Sequence, residues 1–151
     1  MNAETANKGD ANAGRKVRVM QIGSSLLAVD DDLLLAVVGF VKPTPLPFAP
    51  PSVLGIVSIE GKMFTVLEIT AATQERKQLA ALRGDEQLAI AIDECAAPIE
   101  IDDKIIYQPR GETTVFSTAS FREGEREIPL LDVKKLFSGM LRGRERRRRR
   151  F

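Results

Sequence analysis

Residues 50–69 read PPSVLGIVSIEGKMFTVLEI. Two apolar runs, Val53–Ile59 and Lys62–Ile69, flank Glu60-Gly61. Glycine reaches positive φ at little cost, so this pair marks a tight turn between two strands. The hairpin carries no His, no Cys and no cluster of acids. A stretch so poor in reactive groups suits contact better than catalysis.

The rest of the chain repeats the pattern. Val17–Ile22 alternates, turns at Gly23-Ser24-Ser25 and continues into Leu26–Val29. Leu33–Val38 reads as a short helix passing into a strand near Val37–Val41, and the prolines 43, 45, 47, 50 and 51 then force an extended connection. Thr73–Leu82 reads as a polar surface helix. Leu88–Asp93, the region of Ile99 and Ile101, and Ile105–Gln108 read as strands. Thr113–Phe121 alternates weakly, Glu123-Gly124 turns, and Glu127–Leu131 is apolar. Asp132 caps a last helix, Val133 to about Leu141, with Val133, Leu136, Phe137 and Met140 at helical spacing. Many short strands with few aromatics point to a mainly β barrel or sandwich, not to a βαβ sheet.

Two pieces of the chain recur. Ala28-Val29-Asp30-Asp31 resembles Glu100-Ile101-Asp102-Asp103, an offset of 72. Thr65–Ile69 after Glu60-Gly61 resembles Pro129–Val133 after Glu123-Gly124, an offset of 64 for the strands. The common order of elements suggests a duplicated β unit.

Composition removes several function classes. The 151 residues contain no His and a single Cys, Cys95. The usual general base and the usual zinc ligands are therefore absent, no internal disulfide can form, and a reducing cytoplasm is expected. The glycines are isolated, so no phosphate loop is present. No apolar run reaches the ~18 residues that span a bilayer, and the first residues lack the apolar segment of a secretory signal. Asp30-Asp31-Asp32 and Asp102-Asp103 could cap helices or, less in keeping with their spacing, hold a cation. No catalytic residue, cofactor or metal is expected.

The order of elements resembles the CheW family of bacterial chemosensory coupling proteins over residues 17–141. The residues carrying the resemblance are Pro50, Val53, Leu54, Gly55-Ile56-Val57-Ser58-Ile59-Glu60-Gly61, Thr65–Ile69 and the closing Leu130-Leu131-Asp132-Val133-Lys134-Lys135-Leu136-Phe137. The resemblance implies two intertwined five-stranded β-barrels with short helices and a C-terminal helix. It implies a non-enzymatic adaptor that couples the helical tip of chemoreceptors to the regulatory domain of a CheA-type histidine kinase, at the inner face of the membrane. Leu34 and Val37 would flank a groove between the barrels, and Leu54, Gly55, Ile56 and Glu60 would complete the interface. Glu60 stands where the family usually has Arg, and the acid that can pair with that Arg is replaced by Ala36. Ser58, Thr65 and Glu68 replace the family's Asn, Pro and Asp, and Pro98 and Lys104 interrupt the second half.

The ends read differently. Residues 1–16 are small and polar, a disordered lead. Residues 142–151 hold Arg142, Arg144, Arg146, Arg147, Arg148, Arg149 and Arg150 against Glu145, so the tail is +6 and the remainder −5 in a chain of net +1. Such a tail is a solvated end, or it attracts anionic lipid or nucleic acid. A basic-tailed β-barrel that binds nucleic acid or an anionic membrane surface is the alternative to the adaptor.

Overall fold

In the computed structural model, residues 14–70, 75–110 and 116–139 are described. The N-terminal lead up to residue 13, the start of the expected helix at Thr73, the first residues of the Thr113 segment, the helix end at Leu141 and the arginine tail lie outside these residues.

Eleven strands are present among them: β1 Gly14–Ile22, β2 Ser25–Asp30, β3 Leu34–Gly39, β4 Val53–Ile59, β5 Lys62–Leu67, β6 Gln78–Leu82, β7 Leu88–Ile92, β8 Glu94–Cys95, β9 Ile99–Asp102, β10 Ser117–Glu123 and β11 Arg126–Leu131. A helix, α1, covers 133–139. β1 includes residues 14–16, so order starts before the expected Val17.

The strands form two sheets. One runs β10-β11-β2-β1-β8, with β9 also on β1, and the other runs β3-β6-β7-β5-β4. The chain starts in the first sheet, spends β3–β7 in the second and returns. The two units are thus intertwined, as expected. As strand ladders, neither sheet closes into a barrel. One isolated bridge in each spans the gap, Thr44 to Ile56 and Tyr107 to Ser120. Proline limits both closures, because it donates no ladder hydrogen bond. Thr44 lies between Pro43 and Pro45, and Pro109 follows Tyr107 closely. We call the β10-containing unit barrel A and the β4-containing unit barrel B.

Period-2 alternation divides the core into three parts. In β1 and β2, Val17, Val19, Leu26 and Ala28 fill barrel A together with Phe121, Ile128 and Leu130. Phe64, Val66, Leu79, Ala81, Ala89 and Ala91 fill barrel B. The opposite faces of the same strands meet between the barrels: Met20, Ile22, Leu27 and Val29 from one, Leu67, Ala80, Leu82, Leu88, Ile90 and Ile92 from the other. Leu136 on α1 caps this junction, with Val133 and Phe137 beside it. The helix starts as expected, with the Lys135 N–H donating to Asp132 Oδ1 at 3.1 Å.

Four expectations are corrected. Leu33–Val38 is not helical: a 3-10 turn at Asp31–Leu33 leads directly into β3. The segment expected to be a helix ending at Leu82 ends as β6 instead. Gln-Leu-Ala-Ala-Leu favours helix locally, but both its faces are needed, one in barrel B and one at the junction, and tertiary burial wins. Ile105 belongs to a 3-10 turn, Asp103–Ile105, and only Tyr107 pairs beyond it. The Asp-Asp repeat does not hold either. The 3-10 turn at Asp31–Leu33 precedes β3, whereas the one at Asp103–Ile105 follows β9, the strand with β3's place in the other sheet.

The repeat at offset 64 does hold. It maps β4 onto β10 and β5 onto β11, including a bulge at Val53/Gly55 and at Ser117/Ala119. The turn residues reverse, Glu60-Gly61 against Gly124-Glu125.

Gly55 shows why this hairpin needs glycine. Its φ is +144°, and an added Cβ would lie 2.2 Å from the Thr44 carbonyl oxygen. The backbones of Thr44 and Ile56 exchange two hydrogen bonds of 2.9 Å at this point. Gly55→Ala should therefore cost about 1–3 kcal/mol from backbone strain alone, with the clash in addition. Urea denaturation measures it; an unchanged midpoint would mean that the 43–45 segment yields freely.

Candidate docking surfaces

The six residues expected at a partner groove are placed on different faces. Leu34 is 7% exposed and belongs to the junction core, and Val37 packs partly against the same core. Leu54 packs against the interior of barrel B. Gly55 is buried, and the group that approaches it is the chain's own Thr44. Ile56 is half-buried. Glu60 is exposed at the hairpin tip with φ +51°, and Gly61 follows at +79°. Two successive positive φ values make a primed two-residue turn, whose twist matches the strands.

Among the acids, Asp30 does not cap its turn. Its carboxylate takes Arg15 Nε at 2.6 Å and Nη2 at 2.8 Å. Asp102 does cap, accepting from the Lys104 N–H at 2.9 Å. Among the described residues, no group of three or more His, Cys, Asp or Glu could hold a metal ion. Cys95 is half-buried, and burial pushes its thiol up, which keeps it protonated and a poor nucleophile.

A buried ion cluster is the feature that sequence reading missed. The Arg76 side chain is 2% exposed. Its Nε donates to Glu68 Oε1 at 3.0 Å, its Nη1 to Asp93 Oδ2 at 2.8 Å and its Nη2 to Thr70 Oγ1 at 2.8 Å. Asp93 Oδ2 also accepts the Gly23 N–H at 2.5 Å. The hydrogen bond to Glu68 raises the guanidinium's pKa further and holds its charge. The cluster thus ties the β1–β2 turn of barrel A to the ends of β5 and β7 in barrel B. The sequence shows an acid after each of two apolar strands, Glu68 and Asp93, but with both Arg76 and Arg83 between them it does not say which one joins them.

Beside the cluster lies an apolar cleft of about 130 Å³. Leu67, Ile69, Phe116 and Leu136 line it, with Ser52, Glu68 and Gly139. It is bounded by residues from the end of β5, the start of β10's approach and α1.

The outer faces of the two barrels differ in chemistry. On barrel B, Ser58 pairs across the hairpin with Met63, which is 52% exposed. At offset 64 on barrel A the same positions are Arg122 and Glu127, also paired across their hairpin. Glu127 there accepts the Tyr107 hydroxyl, which raises the phenol's pKa. Next to barrel B's hairpin, the proline-rich connection adds the exposed Val41, Leu46 and Phe48.

The family model for the CheW-like domain matches residues 16–140. No curated protein matches. Among solved structures, the scaffolding protein TtCheW from Thermoanaerobacter tengcongensis is similar, with a TM-score of 0.69 at 19% identity, covering 78% of this chain and 88% of that one.

Removing Arg76 would strand two half-buried carboxylates. Arg76→Met should cost about 3–5 kcal/mol, while the double variant with Glu68→Gln recovers part of the loss. A double-mutant cycle in urea measures the coupling, and additive losses would deny that the cluster acts as one unit.

Proposed function

The chain belongs to the CheW-like family, and we propose that it is a non-enzymatic adaptor of a bacterial chemosensory array, coupling chemoreceptors to a CheA-type histidine kinase. The name of the similar protein, a scaffolding protein, supports this reading. The observation that carries it is the unequal chemistry of two equivalent faces. One folded unit presents Met63 and Ile56 on barrel B and the charged Arg122 and Glu127 on barrel A. A bridge between two different partners needs two such unlike surfaces.

The apolar face of barrel B, around Met63 and Ile56, is assigned to the kinase's regulatory domain. Its hairpin tip carries Glu60, which selects for a basic residue opposite. The receptor helix is assigned to the surface of β3, where Val37 is partly exposed. Each contact is small, below the ~1,200 Å² of a stable pair. Affinity is therefore modest and gains from repetition in an array at the membrane. Among the described residues, no helix is long and apolar enough to cross a membrane.

Calorimetry against a CheA-type regulatory domain from the same cell tests this. Binding near the micromolar range is expected. Met63→Glu should weaken it at least tenfold by placing a charge on the apolar face, and Glu60→Arg should change it measurably. Absence of binding by the wild-type chain would sink the reading; binding indifferent to both variants would move the interface elsewhere.

A further inference from the structure

Phe48 is 98% exposed, and its φ is +62°. An aromatic side chain in the left-handed region is a backbone outlier, and such strain is characteristic of functional positions. The segment holding it is fixed on both sides. Thr44 is bonded to Ile56 in both directions, and the Pro50 carbonyl accepts the Val53 N–H at 2.9 Å. Pro43, Pro45 and Pro47 restrict the backbone before it. Phe48 is thus a preorganised apolar knob, which binds at low entropic cost.

The cleft between β5 and α1 has the matching size. Apolar cavities of about 150 Å³ accept a benzene ring, and this cleft is about 130 Å³. Phe116 in its wall offers an aromatic partner. Its acid, Glu68, is already paired with Arg76 and Thr70, so an occupant need bring no charge. An uncharged phenyl ring meets that requirement. Phe48 does not fill the cleft of its own chain, being almost wholly exposed.

We propose that two copies of this chain form a two-fold dimer in which Phe48 of each inserts into the β5–α1 cleft of the other. Phe48 lies four residues from Ser52, which lines the cleft, and so within about 14 Å along the chain. Knob and hole are therefore close enough for one two-fold axis to satisfy both insertions. A reciprocal pair closes on itself, whereas one-way insertion would propagate into filaments. Two aromatic side chains bury on the order of 300–500 Å², and Leu46 and Val41 add to the rim. This is short of a permanent interface, so the dimer is weak in dilute solution and favoured where copies are concentrated. The proposal does not depend on the adaptor reading.

Sedimentation equilibrium of the full chain from low micromolar to near-millimolar concentration tests it. The wild type is expected to pass from monomer to dimer, and Phe48→Ser to remain monomeric at least tenfold higher in concentration. Ser52→Phe, which fills the cleft, should also be monomeric. An equimolar mixture of the two variants should form a heterodimer, because one knob and one hole remain. If Ser52→Phe does not fold, 4-fluorophenylalanine at position 48 gives a second readout, its fluorine resonance shifting with concentration only if the ring becomes buried. A monomeric wild type throughout, species larger than a dimer, a dimer unaffected by Phe48→Ser, or a resonance independent of concentration would each overturn the proposal.

Discussion

The structure depends on the apolar junction between its two sheets. β7 shows why: all five of its residues are buried. Ala89 and Ala91 face into barrel B, while Leu88, Ile90 and Ile92 face the other sheet. A small unit cannot bury enough surface alone, and here neither does. Each sheet spends one face on its own interior and the other on its neighbour. Ala81 of β6 and Ala89 and Ala91 of β7 follow from this, since an interior that already holds Phe64 and Leu79 leaves room for small side chains beside them.

The junction also explains the placement of charge. Apolar packing alone leaves strand ends free to fray, and the ends of β5 and β7 lie where barrel A's first turn abuts barrel B. Arg76 fills that position with two carboxylates and the backbone of Gly23. Apolar contact has no preferred register, whereas a guanidinium with fixed donors does. The cluster thus sets how one barrel sits on the other, and Glu68 links that geometry to the wall of the cleft beside α1.

Much of this was legible in the sequence. Hairpins with alternating residues and a glycine turn were found at β1–β2, β4–β5 and β10–β11, because period and turn chemistry are local. β6 was not, since a strand buried on both faces loses its alternation and Gln-Leu-Ala-Ala-Leu reads as helix. The repeat was legible where it rested on strand spacing and misleading where it rested on the Asp pairs, whose side chains serve unrelated local needs. At the candidate site, Gly55 was legible only as an expected interface residue, and the approach of Thr44 that requires glycine there was not. The Arg76 cluster joins residues 68, 76 and 93, and the cleft joins residues 52 to 139. No local pattern announces such meetings.

The two barrels started from one plan, and their surfaces have diverged in a direction that bears on binding. Arg122 and Glu127 on barrel A pair across their hairpin, and Tyr107 adds a hydrogen bond. A partner must strip water from these charges, and from the carboxylate that already accepts the Tyr107 hydroxyl, which offsets part of what it would gain. Ser58 and Met63, their counterparts on barrel B, present no such obstacle. Desolvating a thioether is favourable, and Met adapts its shape to what it meets. The same backbone therefore makes one face that resists casual contact and one that invites it. The proline-rich connection extends the inviting side, because its prolines prevent it from closing the sheet and leave Val41, Leu46 and Phe48 in solvent. The incomplete closure of barrel B and the exposure of Val41, Leu46 and Phe48 thus have one cause, a segment too rich in proline to finish the sheet.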